Sequence, residues 1–139
     1  MASRLNPYIS FSDNARQALE FYKDVFGGKL ELSTFADLGQ ADAGDLIMHG
    51  ALETDQGFSL MGADTPPGME RREGSAISIS LSGDDAELRD YFTKLSSGGT
   101  VTMPLEKQVW GDEFGMCVDQ FGIAWMVNVS SGEQAAAAQ

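Results

Sequence analysis

The feature that most constrains the fold of this chain is an internal repeat. A short strand, a helix cap, an amphipathic helix and a Gly-Gly pair occur in that order twice within the 139 residues. An offset of 71 positions, as from Asp13 to Asp84, aligns identical residues in the cap, the helix and the glycine pair. They are Asp13/Asp84, Ala15/Ala86, Phe21/Phe92, Lys23/Lys94, Gly27/Gly98 and Gly28/Gly99. The pattern predicts a duplicated structural unit.

Each copy reads as one helix and four strands. Apolar residues recur three and four positions apart over residues 15–26 and 86–95, which predicts the two helices, with cap residues at 12–14 and 84–85. Alternating apolar and polar residues predict strands at 8–11, 30–34, 47–53 and 58–61 in the first copy, and at 77–81, 100–103, 115–118 and 124–129 in the second. Turn residues at 54–57 and 119–122 join strands, residues 36–45 read as a loop, and residues 63–74 connect the two copies.

We therefore predict an α+β fold of two βαβββ modules, about residues 5–62 and 75–129, within one domain spanning residues 1–129. Residues 130–139, which include four consecutive alanines, are predicted to be a flexible tail. Each sheet has one apolar face that needs cover, so the sheets should curl toward each other or toward a second chain. Cupped sheets leave a concave interior in which a ligand can bind.

Charge and cysteine content exclude several classes of function. The formal net charge of -12 argues against nucleic acid and anionic membrane surfaces as partners. The single cysteine, Cys117, cannot form an internal disulfide and reads as a buried, inert thiol. The chain has neither a signal-peptide-like apolar segment nor a stretch long enough to span a membrane, so we expect a cytoplasmic protein.

Five segments of the sequence form a specific combination: NPYISF at 6–11, FYKDVFGG at 21–28, MHGAL at 48–52, WGDEFG at 110–115 and DQFGIAWMVN at 119–128. Together they resemble the PhnB-like branch of the glyoxalase/bleomycin-resistance (vicinal oxygen chelate) superfamily. The resemblance spans residues 5–129 and implies paired βαβββ modules with mixed, cupped sheets, a homodimer and a pocket inside each cupped sheet. It implies no established reaction. Some similar sequences carry a methyltransferase label, but this chain has no glycine-rich strand-to-helix loop suited to a nucleotide-like methyl donor.

The resemblance also implies where a superfamily metal would bind. The four ligand positions fall on or beside Pro7, Ser59, Ala76 and Met126, and no His, Asp, Glu or Cys occurs at these positions or next to them. A catalytic zinc site needs about three such ligands, and harder ions need carboxylates. We therefore expect no metal and no other cofactor.

Candidate site residues lie in these segments and on the other predicted strands. His49, the single histidine, is either a general acid/base or ligand-binding group or a partly exposed strand side chain. Trp110 and Phe114 either line the pocket, with Asp112 or Glu113 at its mouth, or cover the core or a dimer interface. Because adjacent strand residues face opposite ways, only one of Trp125 and Met126 can face the interior. The resemblance favours Met126, which stands in place of a metal ligand. The predicted ligand-binding set is Tyr8, Ser10, His49, Ser59, Met61, Ser78, Trp110, Phe114 and Met126.

The favoured function is metal-independent binding of a small molecule of unknown identity. The alternative is an enzyme of the same superfamily, a lyase, isomerase or dioxygenase, that uses either a metal or His49 with Asp112 or Glu113 as acid and base. A purely structural protein would leave the predicted pocket without a purpose. The scarcity of ligand-type residues at the four metal positions favours binding over metal catalysis.

Overall fold

The computed structural model describes residues 5–39, 44–66, 68–69, 71, 74 and 76–130. The chain divides into two compact units, Met1–Glu73 and Gly74–Gln139. The first contains β1 (Tyr8–Phe11), α1 (Ala15–Phe26), β2 (Lys29–Thr34), a short 3-10 helix (Ala36–Leu38), β3 (Ile47–Glu53) and β4 (Ser59–Asp64). The second contains β5 (Ile79–Gly83), α2 (Glu87–Ser96), β6 (Thr100–Lys107), β7 (Glu113–Val118) and β8 (Ala124–Val129). The predicted pair of βαβββ modules with mixed sheets is confirmed.

The two sheets have the same topology. In the first unit the strand order is β1-β4-β3-β2, with β1 parallel to β4 and the other neighbours antiparallel. In the second unit the order is β5-β8-β7-β6, again with one parallel pair, β5 and β8. Each parallel pair is connected through the rest of its own unit.

Helix α1 covers one face of the first sheet. Its buried residues follow the helical period, and they pack on β2, β3 and β4. Gly50 lies beneath the helix, where an added Cβ would overlap the side chains of Leu19 and Leu32. The core on this side of the sheet consists of Ile9, Phe11, Ala15, Ala18, Leu19, Tyr22, Val25, Phe26, Leu52 and Leu60.

Helix α2 covers one face of the second sheet in the same way. It packs on all four strands of its unit. Its core consists of Leu81, Leu88, Tyr91, Phe92, Leu95, Cys117, Trp125, Val127 and Val129. The indole Nε1 of Trp125 donates to Oδ2 of Asp119 at 2.9 Å, and Oδ1 of Asp119 accepts from the backbone N–H groups of Phe121 and Ile123. Asp119 therefore joins the β7–β8 turn to the core.

A uniform offset of 71 residues between the copies is wrong, although the duplication is real. It holds at the glycine pairs, where Gly28 lies against Glu53 and Gly99 against Val118. Within the helices it would place the buried Leu19 on the exposed Asp90. An offset of 70 instead places Ala18, Tyr22 and Val25 on Leu88, Phe92 and Leu95, all of which are buried. The connections differ in length between the copies, so each element has its own offset.

Several predicted boundaries also change. Strand β4 continues through Ala63 and Asp64, which were assigned to the connection, and β6 continues to Lys107. Ile77 precedes β5 and is exposed. Most of the predicted tail lies outside the described residues, but Ser130 is buried and its N–H donates to the carbonyl oxygen of Gly83 at 2.7 Å, so the prediction is wrong for that residue.

Candidate functional site

The face of the first sheet opposite α1 carries five predicted site residues. Tyr8 and Met61 are direct neighbours on β1 and β4, and Met61 in turn neighbours Ala51 on β3. Strand alternation places Ser10, Ser59 and His49 on the same side. Tyr8, Ser10 and His49 are exposed, whereas Ser59 and Met61 are half-buried. The structure therefore brings these five side chains to one surface, which we call the helix-free face of the first unit.

Tyr8 and His49 form a direct polar contact on this face. The phenolic Oη of Tyr8 lies 3.1 Å from Nδ1 of His49, and the two rings are tilted with centroids 5.7 Å apart. With the imidazole proton on Nε2, the phenol donates to Nδ1, and with the proton on Nδ1 the imidazole donates to the phenol. Within the described residues no hydrogen bond to Nε2 is seen, so this ring atom can meet a ligand.

A β-bulge determines where His49 points. Ser33 of β2 neighbours His49 and Thr34 neighbours Ile47, so Met48 is an extra residue in β3. Beyond the bulge the alternation changes phase, and Ile47 is buried on the helix side although it lies two residues from the exposed His49. Bulges of this kind redirect side chains, and they are frequent beside functional sites.

Asp64, at the end of β4, was not among the residues predicted from the sequence. Its carboxyl group is buried, with Oδ1 accepting from the backbone N–H of Ala15 and Oδ2 from that of Ile47, both at 2.8 Å. The predicted cap from residues 12–14 is wrong, because Asn14 precedes the helix without a side-chain cap bond and Asp64 satisfies the first helical N–H instead. In the second unit the predicted cap region does contribute, because Oδ1 of Asp85 accepts from the N–H of Glu87 at 2.9 Å.

The face of the second sheet opposite α2 has a different chemistry. Met103, Met116 and Met126 are successive cross-strand neighbours on β6, β7 and β8, and the row ends at Ser80 on β5. Phe114 shares this face, and we call it the helix-free face of the second unit. Trp125 is buried on the α2 side, whereas Met126 is half-buried on the other, as the alternation predicted. The methionine row could not be found from the sequence, because it depends on the register of three strands.

The remaining members of the predicted ligand-binding set lie beside this face. Ser78 is half-buried directly before β5. Trp110 is exposed in the β6–β7 turn, and its ring meets that of Phe114 edge-on with centroids 6.1 Å apart. The aromatic pair thus extends the apolar row of methionines.

Asp112 and Glu113 are each held by a partner within the second unit. Asp112 is buried, and its Oδ2 accepts from Nδ2 of Asn128 at 3.0 Å. Glu113 points to the α2 side, where its carboxylate meets the guanidinium of Arg89. Hydrogen bonding to Arg89 lowers the pKa of Glu113 below its ordinary value. Neither carboxyl group is presented openly on a helix-free face, and their suggested catalytic role stays a prediction.

Cys117 is a buried thiol on the helix side of β7. Desolvation raises its pKa to about 11, with a further contribution from the negative charge of Asp119. Because the thiolate is the reactive form, this environment keeps Cys117 unreactive at neutral pH. The thiol is therefore part of the core and not of a site.

The residues at the four implied metal positions do not fit a divalent metal. Pro7 and Ala76 have no donor side chain, Ser59 offers a neutral hydroxyl, and Met126 offers a thioether, which suits soft ions. Across the described ranges, no group of three or more His, Cys, Asp or Glu side chains could hold a metal ion. No step of a mechanism is therefore assigned to a metal.

Comparison with known proteins finds relatives that match most of this chain. The chain is 39% identical to protein PA1353 from Pseudomonas aeruginosa, whose crystal structure matches with a TM-score of 0.84 over 93% of this chain and 98% of that chain. It is 30% identical to the uncharacterized protein Rv0887c of Mycobacterium tuberculosis, over 90% of this chain and 75% of that protein. It is 25% identical to protein YjdN of Escherichia coli, over 90% and 94%.

More distant structures share the fold alone. A PhnB protein from Bacillus cereus, described as a putative 3-demethylubiquinone-9 3-methyltransferase, matches with a TM-score of 0.75 at 20% identity, covering 92% of this chain and 100% of that chain.

In the described part of this chain, no helix is long and apolar enough to cross a membrane. The model of the Glyoxalase/Bleomycin resistance protein/Dioxygenase superfamily matches residues 4–127. The chain therefore belongs to the glyoxalase/bleomycin resistance protein/dioxygenase superfamily.

Proposed function

We propose that this PhnB-like chain binds a small organic molecule without a metal, and that the Tyr8–His49 pair on the helix-free face of the first unit is the polar part of the site. The observation that carries the proposal is this exposed phenol–imidazole contact on a face that also carries serine hydroxyls, Ala51 and Met61. Small-molecule sites combine apolar surface with a few placed polar groups. The surroundings of Tyr8 and His49 have that composition, and the charged side chains of this face, Lys29, Glu31 and Glu53, lie on β2 and at the far end of β3.

The chemistry of the pair limits what it can recognise. A neutral imidazole bound to Tyr8 through Nδ1 presents either a donor or an acceptor at Nε2, and the phenol oxygen keeps further capacity to accept. A ligand with a carbonyl, amide or hydroxyl group can therefore be oriented there. On the second unit, Met103, Met116 and Met126 offer an adaptable thioether surface suited to apolar or aromatic groups.

A second candidate function is metal-free acid/base catalysis by His49. The Tyr8 contact favours it, because a partner on Nδ1 orients the imidazole and leaves Nε2 to exchange a proton with a substrate. The metal-assisted alternative gains no support from the donor set. The homodimer and the cytoplasmic location stay predictions.

The proposal is tested by NMR on metal-free protein treated with EDTA and screened with a fragment library. His49 is the single histidine, so a protein labelled with 13C-histidine gives one set of imidazole signals and needs no assignment. We expect fragments that move the His49 signals to bind Tyr8→Phe several-fold more weakly and to lose most of their affinity for His49→Ala.

Tyr91→Phe is the matched control, because it removes a phenol of the second unit, whose Oη donates to Glu87 on α2. It should leave fragment affinity unchanged. Fragments that bind elsewhere while the His49 signals stay fixed would contradict the proposed site. If turnover of a hit is found, a loss of rate in His49→Ala with retained binding would favour catalysis over binding alone.

A further inference from the structure

We propose that Asp64 is a positioning residue that holds the β3 bulge and so orients His49 toward Tyr8. The importance of this role rests on the proposed function, but the role itself is measured without a ligand. Asp64 does not contact the two rings. It acts through the backbone of Ile47, two residues before His49, with Met48 as the bulged residue between them.

Strand β3 leaves its neighbour β4 directly before His49 is reached. The antiparallel pairing of β3 with β4 runs from Glu53/Ser59 to Gly50/Gly62 and stops there. Beyond that point the Asp64 side chain takes the N–H of Ile47 at 2.8 Å. A carboxyl oxygen thus replaces the strand partner that regular pairing would supply, and the bulge has a fixed end.

The carboxyl group of Asp64 is itself held in place through its second oxygen. Its other oxygen accepts from the N–H of Ala15, the first residue of α1, at 2.8 Å. The positive end of the helix dipole favours a carboxyl group at this place. Asp64 is also a direct neighbour of Phe11 on β1. The bulge is therefore tied to a rigid part of the unit and not to a loose loop.

The second unit forms the same sheet without a carboxyl group at the place of Asp64. The N–H of Ser130 donates to the carbonyl oxygen of Gly83 as that of Thr65 does to Phe11, so Val129 occupies the place of Asp64. There the β7–β8 pairing continues to Glu113/Val129. The βαβββ topology thus forms with a valine at this position. The buried carboxyl group occurs in the unit that also carries the histidine, which points to a role in placing His49.

The experiment uses the single histidine of the full-length protein and needs no ligand. The 15N and 13C chemical shifts of the His49 imidazole are measured at one fixed pH in the native chain, in Tyr8→Phe and in Asp64→Asn. Asparagine has the same shape, but it turns an N–H₂ group toward one of the two backbone donors. We expect Asp64→Asn to reproduce at least about half of the imidazole shift change that Tyr8→Phe causes, because both substitutions weaken the contact between Tyr8 and His49.

Asp119→Asn is the matched control. It alters a buried carboxyl group of the second unit that also accepts backbone N–H bonds, so it should lower stability without moving the His49 signals. If Asp64→Asn lowers the melting temperature while the His49 shifts stay as in the native chain, Asp64 is structural and the proposal is overturned.

Asp64→Ser keeps an oxygen acceptor on a shorter side chain and serves if Asp64→Asn does not fold. Failure of both variants to fold would also overturn the proposal, because Asp64 would then be needed for the unit as a whole. A fragment screen without hits would contradict the proposed function but leave these shifts, measured without ligand, fully interpretable.

Discussion

Replacing Asp119 by asparagine tests how the second unit is held together. Oδ1 of Asp119 accepts from Phe121 and Ile123 at 2.8 Å and 3.1 Å, and Oδ2 accepts from Nε1 of Trp125 at 2.9 Å. Asparagine can keep its carbonyl oxygen toward the two backbone donors, but its N–H₂ group then faces the indole N–H. Both Asp119 and Trp125 are buried, so water cannot take the place of the lost acceptor.

The expected cost is that of one buried donor without its acceptor. Such a group costs about 1–3 kcal/mol, so we expect Asp119→Asn to lower the free energy of unfolding by about 2 kcal/mol. Asp119→Ala removes all three contacts and should cost more. The measurement is urea unfolding followed by far-UV circular dichroism, which does not depend on the tryptophan fluorescence that the variants alter.

A double-mutant cycle isolates the contact. Trp125→Phe removes the indole N–H, so Asp119→Asn should cost much less in that background than in the native chain, with a coupling energy of about 1–2 kcal/mol. The reasoning is refuted if Asp119→Asn stays within about 0.5 kcal/mol of the native chain, the range usual for surface substitutions.

Three further predictions concern the thiol, the exposed ion pair and the glycine pairs. With a pKa of about 11 rather than 9.0, Cys117 should react with a thiol reagent at pH 8 at least about a hundredfold more slowly in the folded than in the urea-unfolded chain, with a rate that rises with pH; equal rates would contradict its burial. Because the pKa of Glu113 is lowered, its pairing with Arg89 stabilises the fold at pH values above the ordinary glutamate pKa. This stabilisation is lost as the pH falls through the lowered pKa. Glu113→Gln should therefore reduce the slope of stability against acid pH, and an unchanged slope would exclude a contribution from the pair. Gly28→Ala and Gly99→Ala should each cost about 2 kcal/mol or more in urea unfolding, because an added Cβ overlaps backbone atoms of the neighbouring strand end; a neutral effect at either site would refute the equivalence of the two turns.

The sequence was sufficient for the fold because its strongest signals are local. Helix α1 begins and ends at the predicted residues, since its apolar period and the Gly27-Gly28 stop are both short-range features. The limits of β3 and β8 were also predicted, because alternation and turn residues mark them. The errors include the inner strand β4 and the edge strand β6. Strand β6 is exposed along most of its length and has an irregular register, so no alternation marks its end.

The structure places three of the candidate site residues, Tyr8, His49 and Met61, on one face. Their role in binding a ligand stays a prediction. The positions of Asp64 and of the methionine row depend on contacts between residues far apart in the chain. Asp64 lies 49 positions from Ala15, and a bulge that no local pattern reveals brings Ile47 to it. Such long-range geometry cannot be derived from one sequence.

The central claim is that this chain binds its ligand through the Tyr8–His49 pair without a metal. The most direct test measures the affinity of a fragment hit by isothermal titration calorimetry in EDTA-treated protein, and again after equimolar Zn²⁺, Mn²⁺ or Ni²⁺ is added. We predict equal affinities with and without each ion, and loss of binding in His49→Ala. Binding that requires one of the ions, or that survives unchanged in His49→Ala, would contradict the claim.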